Sequence, residues 1–158
     1  RQMCIRDRIR PSGRKTMGVK GITLSSKDDK VVGMLLIKRE GTVLVATENG
    51  FGKRTEIIQY RAQKRGGKGV LTMKTTDKIG KMITIKEVVG TDDLMIIRDD
   101  GVLIRMPVSQ IRSIGRATQG VKLIKLAEGT KVSAITRIIS EEEKTADEPE
   151  NNPEPQDA

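Results

Sequence analysis

Three glycines, Gly18, Gly69 and Gly120, stand 51 and 51 residues apart. The same offset lays Arg14 on Arg65 and Arg116, and Val19 on Val70 and Val121, while Thr16 and Thr118 match across two periods. It also carries Asn49-Gly50 onto Asp100-Gly101, Arg54 onto Arg105, Gln59 onto Gln110, and Val43-Leu44-Val45 onto Leu94-Met95-Ile96, with no register adjustment. Turns and apolar runs therefore recur in phase. A repeat of this length restricts the fold to arrays in which each unit buries its faces against its neighbours.

The apolar runs inside each unit are short and rich in β-branched residues, which reads as strands. They cover Val31 to Ile37, Thr42 to Thr47, Arg54 to Ile58, Val70 to Lys74, Met82 to Val88, Asp93 to Arg98, Val102 to Met106, Val121 to Leu126 and Val132 to Ile139. Asn49-Gly50 and Asp100-Gly101 are favoured hairpin dipeptides, expected to take positive φ at both central positions. Helical periodicity is absent apart from one possible turn near Pro107 to Ile111. The expected class is all-β, with about four strands per unit, as in the blade of a propeller. The third unit stops after two strands, and two and a half blades cannot close a ring. The chain is therefore expected to be the C-terminal part of a longer protein, with a sheet edge left open. Phe51 and Tyr60 are the only aromatic residues, so the core must be built from Val, Ile, Leu and Met.

Charge divides the 158 residues into two regions. Residues 1 to 140 hold 29 Lys and Arg against 13 Asp and Glu, a net +16, whereas residues 141 to 158 hold one Lys against eight acids, a net −7. A basic body of this size predicts a polyanionic partner. The acidic tail has three prolines and only Ala as an apolar residue, so it is expected to be disordered. It either aids solubility or competes with a polyanion for the basic surface. At the other end, residues 1 to 8 match nothing in the other units. They are expected to be a translated sequencing-adapter read-through, a short native lead-in being the alternative. The folded domain is then residues 9 to 140.

Cys4 stands alone and there is no His, so neither an internal disulfide nor a zinc framework is expected. No apolar run reaches the ~20 residues needed to cross a bilayer, and no signal-peptide pattern is present, which fits a cytoplasmic location. Carboxylates cluster only in turns and the tail, so no catalytic site is expected. Tyr60 is expected to pack near a strand end.

The segment Gln63-Lys64-Arg65-Gly66-Gly67-Lys68-Gly69 joins two strands. Its glycines admit close approach of a phosphate to backbone amides, while Arg65 offers a planar fork and Lys64 and Lys68 act as mobile charges. The spacing does not meet Gly-x-x-x-x-Gly-Lys-Ser/Thr, and no helix pattern follows, so no nucleotide site or other cofactor is expected here. A merely basic hairpin loop is the plain alternative.

This heptapeptide resembles the box of DNA gyrase A subunits, Gln-Arg/Lys-Arg-Gly-Gly-Lys/Arg-Gly. Gly18 to Ile22, Gly50 to Thr55 and Gly115 to Val121 are also similar to segments of the C-terminal domain of those proteins, and the resemblance covers roughly residues 9 to 140. It implies a β-pinwheel whose basic rim bends or wraps duplex DNA without sequence specificity, supporting ATP-dependent negative supercoiling by the holoenzyme. The implied DNA-binding residues are Gln63, Lys64, Arg65, Gly66, Gly67, Lys68 and Gly69, joined by Arg14, Lys15, Lys20, Arg116 and Lys122. Gly13 to Gly18 and Gly115 to Gly120 look like degenerate boxes. The implied partners are double-stranded DNA, the gyrase B protein and a second copy of gyrase A, in the bacterial cytoplasm, with ATP and Mg2+ bound outside this chain. The family's box usually lies in the first blade, whereas here another unit precedes it. The alternatives are the C-terminal domain of a topoisomerase IV A protein, which lacks an intact box, and a basic propeller that binds an acidic protein.

Overall fold

The computed structural model describes residues 12–139 and the backbone of Cys4–Ile5. The rest of the lead, and the acidic tail, lie outside the described residues. Nine strands form among the described residues, in chain order: β1 (Cys4–Ile5), β2 (Thr42–Thr47), β3 (Phe51–Glu56), β4 (Ala62–Gln63), β5 (Met82–Val88), β6 (Asp93–Arg98), β7 (Leu103–Pro107), β8 (Val121–Lys122) and β9 (Val132–Ile138). Single 3-10 turns follow β3 at Ile57–Gln59 and β7 at Val108–Gln110, one period apart.

The sheets are assembled across units. One has the order β5-β2-β3-β8 and is antiparallel throughout. Its hairpin β2–β3 comes from one unit, its edge β5 from the next, and its other edge β8 from the one after. The second sheet repeats the plan as β7-β6-β9. Register irregularities fall at Ala46/Thr47 and Ile97/Arg98, again one period apart. A short parallel pairing of β1 with β4 is echoed by a parallel bridge between Arg54 and Ser113.

β2 is buried on both faces, which explains its unbroken apolar run. Leu44 and Ala46 enter a core with Val88, Leu94, Ile96, Val108, Ile111, Ile124, Val132 and Ile135, while Val43 and Val45 face a second core with Tyr60, Val70, Met73 and Ile79. Tyr60 is thus a packing residue. Its phenol is pushed up by burial, against the smaller opposing influence of the Thr55 and Thr72 hydroxyls and the Arg116 charge.

Several expected strands are corrected. Residues 31 to 37 form no ladder. They are the counterparts of β5 and β9, which pair with the hairpins at β2 and β6; among the described residues no hairpin pairs with residues 31 to 37. They instead lie beside β5, where the Glu87 carboxylate accepts the N–H groups of Lys38 and Arg39 at 2.9 and 2.8 Å. Only Val70 of the 70 to 74 run makes a bridge, β8 keeps two residues of an expected six, and β3 starts three residues early.

The hairpin turns also differ. Asn49 and Asp100 do not take positive φ, whereas Gly50 and Gly101 do, at 77° and 84°. Gly50 N–H donates to Thr47 O at 3.1 Å, and Gly101 N–H to Arg98 O at 3.2 Å, so each tight turn is closed by a left-handed glycine. This is a three-residue loop of the bulged kind, which needs one left-handed position instead of two. The repeat itself shifts once: β9 begins 50 residues after β5, because the stretch after Gly120 is one residue shorter than that after Gly69.

Candidate nucleic-acid interface

Loops at residues 63 to 69 and 114 to 120 follow the two hairpins, and residues 12 to 18 stand at the equivalent place one period earlier. All three close on a left-handed glycine: φ is 71° at Gly18, 72° at Gly69 and 80° at Gly120. This conformation is costly for any residue with a Cβ, which accounts for the glycine period. Gly66 adds a further positive φ of 74°, and a Cβ there would find only Lys20 O, at 3.8 Å. The middle loop is therefore glycine-lined and open.

The loops are braced in series. The stretch after the first loop supports the second: Gly66 N–H donates to Gly21 O at 2.8 Å, Thr23 N–H to Gly67 O at 2.9 Å, and the Thr23 hydroxyl to Gly66 O. One period later Lys74 N–H donates to Thr118 O at 3.1 Å, so the stretch after the second loop supports the third. In the flanking loops a threonine hydroxyl closes the turn, Thr16 on Gly13 O at 2.8 Å and Thr118 on Gly115 O at 2.9 Å. Gly67 stands at that place in the middle loop and leaves it bare.

Lys64, Arg65 and Lys68 are exposed, as are Arg14, Lys15, Lys20 and Lys122. Among the described residues none of these seven cations is ion-paired with a carboxylate. Arg116 differs from them. It is partly buried, lies 5.9 Å from the Tyr60 ring centre, and donates to Leu71 O at 3.4 Å. Lys122 sits 5.7 Å from the ring centre of Phe51. Gln63 is half-buried at β4, and its amide turns to Ala62 O at 3.2 Å.

Beneath the third loop lies a residue that composition conceals. Lys53 is 0% exposed, and its ammonium donates to Gly115 O at 2.7 Å, to Arg116 O and to Thr118 Oγ1 at 3.1 Å. Burial, with a lesser contribution from the Arg116 charge, pulls this lysine down to about 8. It thus stays protonated at neutral pH, with three acceptors for its three donors. Arg54 Nε donates to Ile111 O at 2.7 Å and the Thr55 hydroxyl to Ile114 O at 2.9 Å.

The arrangement of these units also recurs in known proteins. The family model of the DNA gyrase C-terminal domain, beta-propeller, matches residues 7–38, 41–88 and 92–138, the last two segments each holding a hairpin and the strand that pairs with it. The chain belongs to this family. The DNA gyrase A protein of Staphylococcus epidermidis (strain ATCC 12228) is 44% identical over 137 residues, and that of Staphylococcus aureus (strain NCTC 8325) is 43% identical over 146. These alignments cover 85% and 91% of the chain but only 15% and 16% of the relatives, so the chain spans a small fraction of their length. A solved DNA gyrase A C-terminal domain has a TM-score of 0.75 at 24% identity, covering 83% of this chain and 44% of that one. The C-terminal domain of a DNA topoisomerase IV has a TM-score of 0.68 at 20% identity, covering 76% and 38%. At such identities the two structures establish the propeller fold alone.

Within this gyrase C-terminal domain, sequence reasoning brought the glycine loops and their cations forward but missed Lys53. The available signal was its position in β3, where register sets it opposite the fully buried Val45. No helix among the described residues is long and apolar enough to cross a membrane, and no three described His, Cys, Asp or Glu side chains group as metal ligands.

Proposed function

We propose that this chain binds duplex DNA without base specificity and bends it, as a portion of the wrapping domain of a gyrase A protein. The observation that carries the reading is the middle loop, where three exposed cations without carboxylate partners surround an open, left-handed glycine. Gln63, Lys64, Arg65, Gly66, Gly67, Lys68 and Gly69 contact phosphates. Arg14, Lys15, Lys20, Arg116 and Lys122 extend the track on the flanking units. Contacts of this kind position a duplex and release counterions, but they read no sequence.

In the full enzyme the domain serves negative supercoiling by two A and two B subunits in the bacterial cytoplasm, with ATP and Mg2+ handled by other domains. The intact heptapeptide and the named relatives favour gyrase over topoisomerase IV. The folded portion is residues 9 to 140, with 141 to 158 an acidic tail.

The test uses the whole chain and a linear duplex of about 150 bp, near one persistence length, with fluorophores at its ends. Wild type should bind with a steep salt dependence and draw the ends together. The K64A/R65A/K68A variant should lose about 2 to 3 from the log–log salt slope, at ~0.9 per phosphate contact, and bend far less. A folded wild type with no duplex affinity at low salt refutes the proposal. Binding with bending untouched by the triple substitution leaves only a generic basic surface.

A further inference from the structure

We infer that Lys53, with Arg54 and Thr55, forms a latch between units that sets the pose of the Gly115–Gly120 loop, so that DNA bending depends on a lysine that never meets solvent. The inference rests on the DNA-bending reading and adds to it a positioning residue that does not touch DNA.

Three consecutive side chains of β3 direct their donors to the stretch from the end of the second 3-10 turn into the next loop: Arg54 to Ile111 O, Thr55 to Ile114 O, and Lys53 to Gly115 O, Arg116 O and Thr118 Oγ1. The Arg54 backbone joins them, donating to Arg112 O at 3.4 Å and accepting Ile114 N–H at 2.9 Å. A lysine is almost never fully buried without partners, and here the partners are two main-chain carbonyls and a hydroxyl instead of a carboxylate. It therefore fixes backbone geometry, which a surface cation does not. Among the described residues the latch occurs at one junction. One period later Ile104 replaces Lys53, and Arg105 turns to Asp93 within its own hairpin, with Nε at 2.7 Å from Oδ2. The loop so held carries Arg116, which it aims across Tyr60.

The experiment compares the full chain with its K53M, T118V, R116A and K53M/R116A variants. Amide exchange is measured without DNA, and duplex bending with it. In K53M, protection of the Ile114 and Lys74 amides, which donate to Arg54 O and Thr118 O, should fall at least about tenfold while β2 and β6 keep theirs, as expected for a local opening. Bending should drop several-fold. The double variant should bend no worse than R116A, because a residue acting through Arg116 has nothing left to act on once that side chain is gone.

T118V keeps Lys53 and two of its three acceptors, so it perturbs the fold less than K53M and should move both readouts the same way, by less. It decides the matter if K53M does not fold. Unchanged protection at Ile114 and Lys74 overturns the latch, whether or not DNA binds. Unchanged bending in K53M, or additive losses in the double variant, overturn its role in bending. Failure of wild type to bend DNA sinks the underlying reading instead, and leaves the exchange result to judge the latch.

Discussion

Alanine placed at two glycines that share one role in the repeat should have very different costs. At Gly18, with φ of 71°, an added Cβ meets nothing within 4 Å. At Gly120, with φ of 80°, it would lie 2.7 Å from both Gly52 O and Met73 Cε, and 3.1 Å from Gly52 C. Both substitutions carry the left-handed backbone cost of roughly 1 to 2 kcal/mol, eased by about 0.4 to 1 through a less flexible unfolded chain. G18A should therefore destabilise by about 1 kcal/mol. G120A must in addition push its own backbone away from that of β3, since Gly52 is itself hemmed in by Val45 O at 2.9 Å from its ideal Cβ. Overpacking of this kind adds about 1 to 3 kcal/mol, for a total near 3. With a urea m-value of about 1.5 kcal/mol/M, the midpoints should drop by about 0.7 M for G18A and about 2 M for G120A. G66A, with its single neighbour at 3.8 Å, should behave like G18A. Equal losses at Gly18 and Gly120 would show that backbone conformation alone, and not the contact between units, dictates the glycine period.

Two further outcomes are expected. Asp92 is 0% exposed and ion-paired with Arg39, and it also accepts Val89 N–H at 2.8 Å. R39M should cost about 3 to 5 kcal/mol by stranding a buried carboxylate, and R39M/D92N clearly less, as judged by urea denaturation. Lys53 gives a pH signature. Its folded value of about 8 lies below the ordinary 10.5, so between those values the unfolded chain binds more protons and stability rises with pH. That rise, flat below about pH 8, should be present in wild type and missing from K53M; thermal melts across pH 7 to 10.5 compare the two.

The period, the hairpins and the 3-10 turn after Pro107 were legible in the sequence because they depend on local pattern and turn chemistry. Residues 31 to 37 illustrate what was not: Val31-Val32-Gly33-Met34-Leu35-Leu36-Ile37 has strand composition, yet a ladder also needs a hairpin to pair with. The short β8 shows the same limit, because its length is set by how far β3 of another unit runs alongside it. Reading Asn49-Gly50 as a two-residue turn would pair Ala46 with Lys53, whereas the three-residue loop pairs Val45 with it. Both partners are fully buried, so register does not decide the matter; Lys53 was hidden because its three acceptors lie 62 to 65 residues away in the chain. The exposed cations of the loops were easier, since a charge that stays in water leaves its mark in composition. Arg116 was only half legible for the same reason: its sequence context matches Arg65, but its stacking on Tyr60 is a long-range contact.

The sheet that draws β5, β2, β3 and β8 together spans residues 42 to 122, far more than one 51-residue period. The repeat in the gene and the repeat in space therefore have different boundaries. Exchanging one period for its neighbour would not replace a blade; it would give one sheet a new centre and graft new edges onto others. Cassettes of this architecture are consequently interlocked, and variation should accumulate within the exposed loops more readily than by the loss or transplantation of whole units.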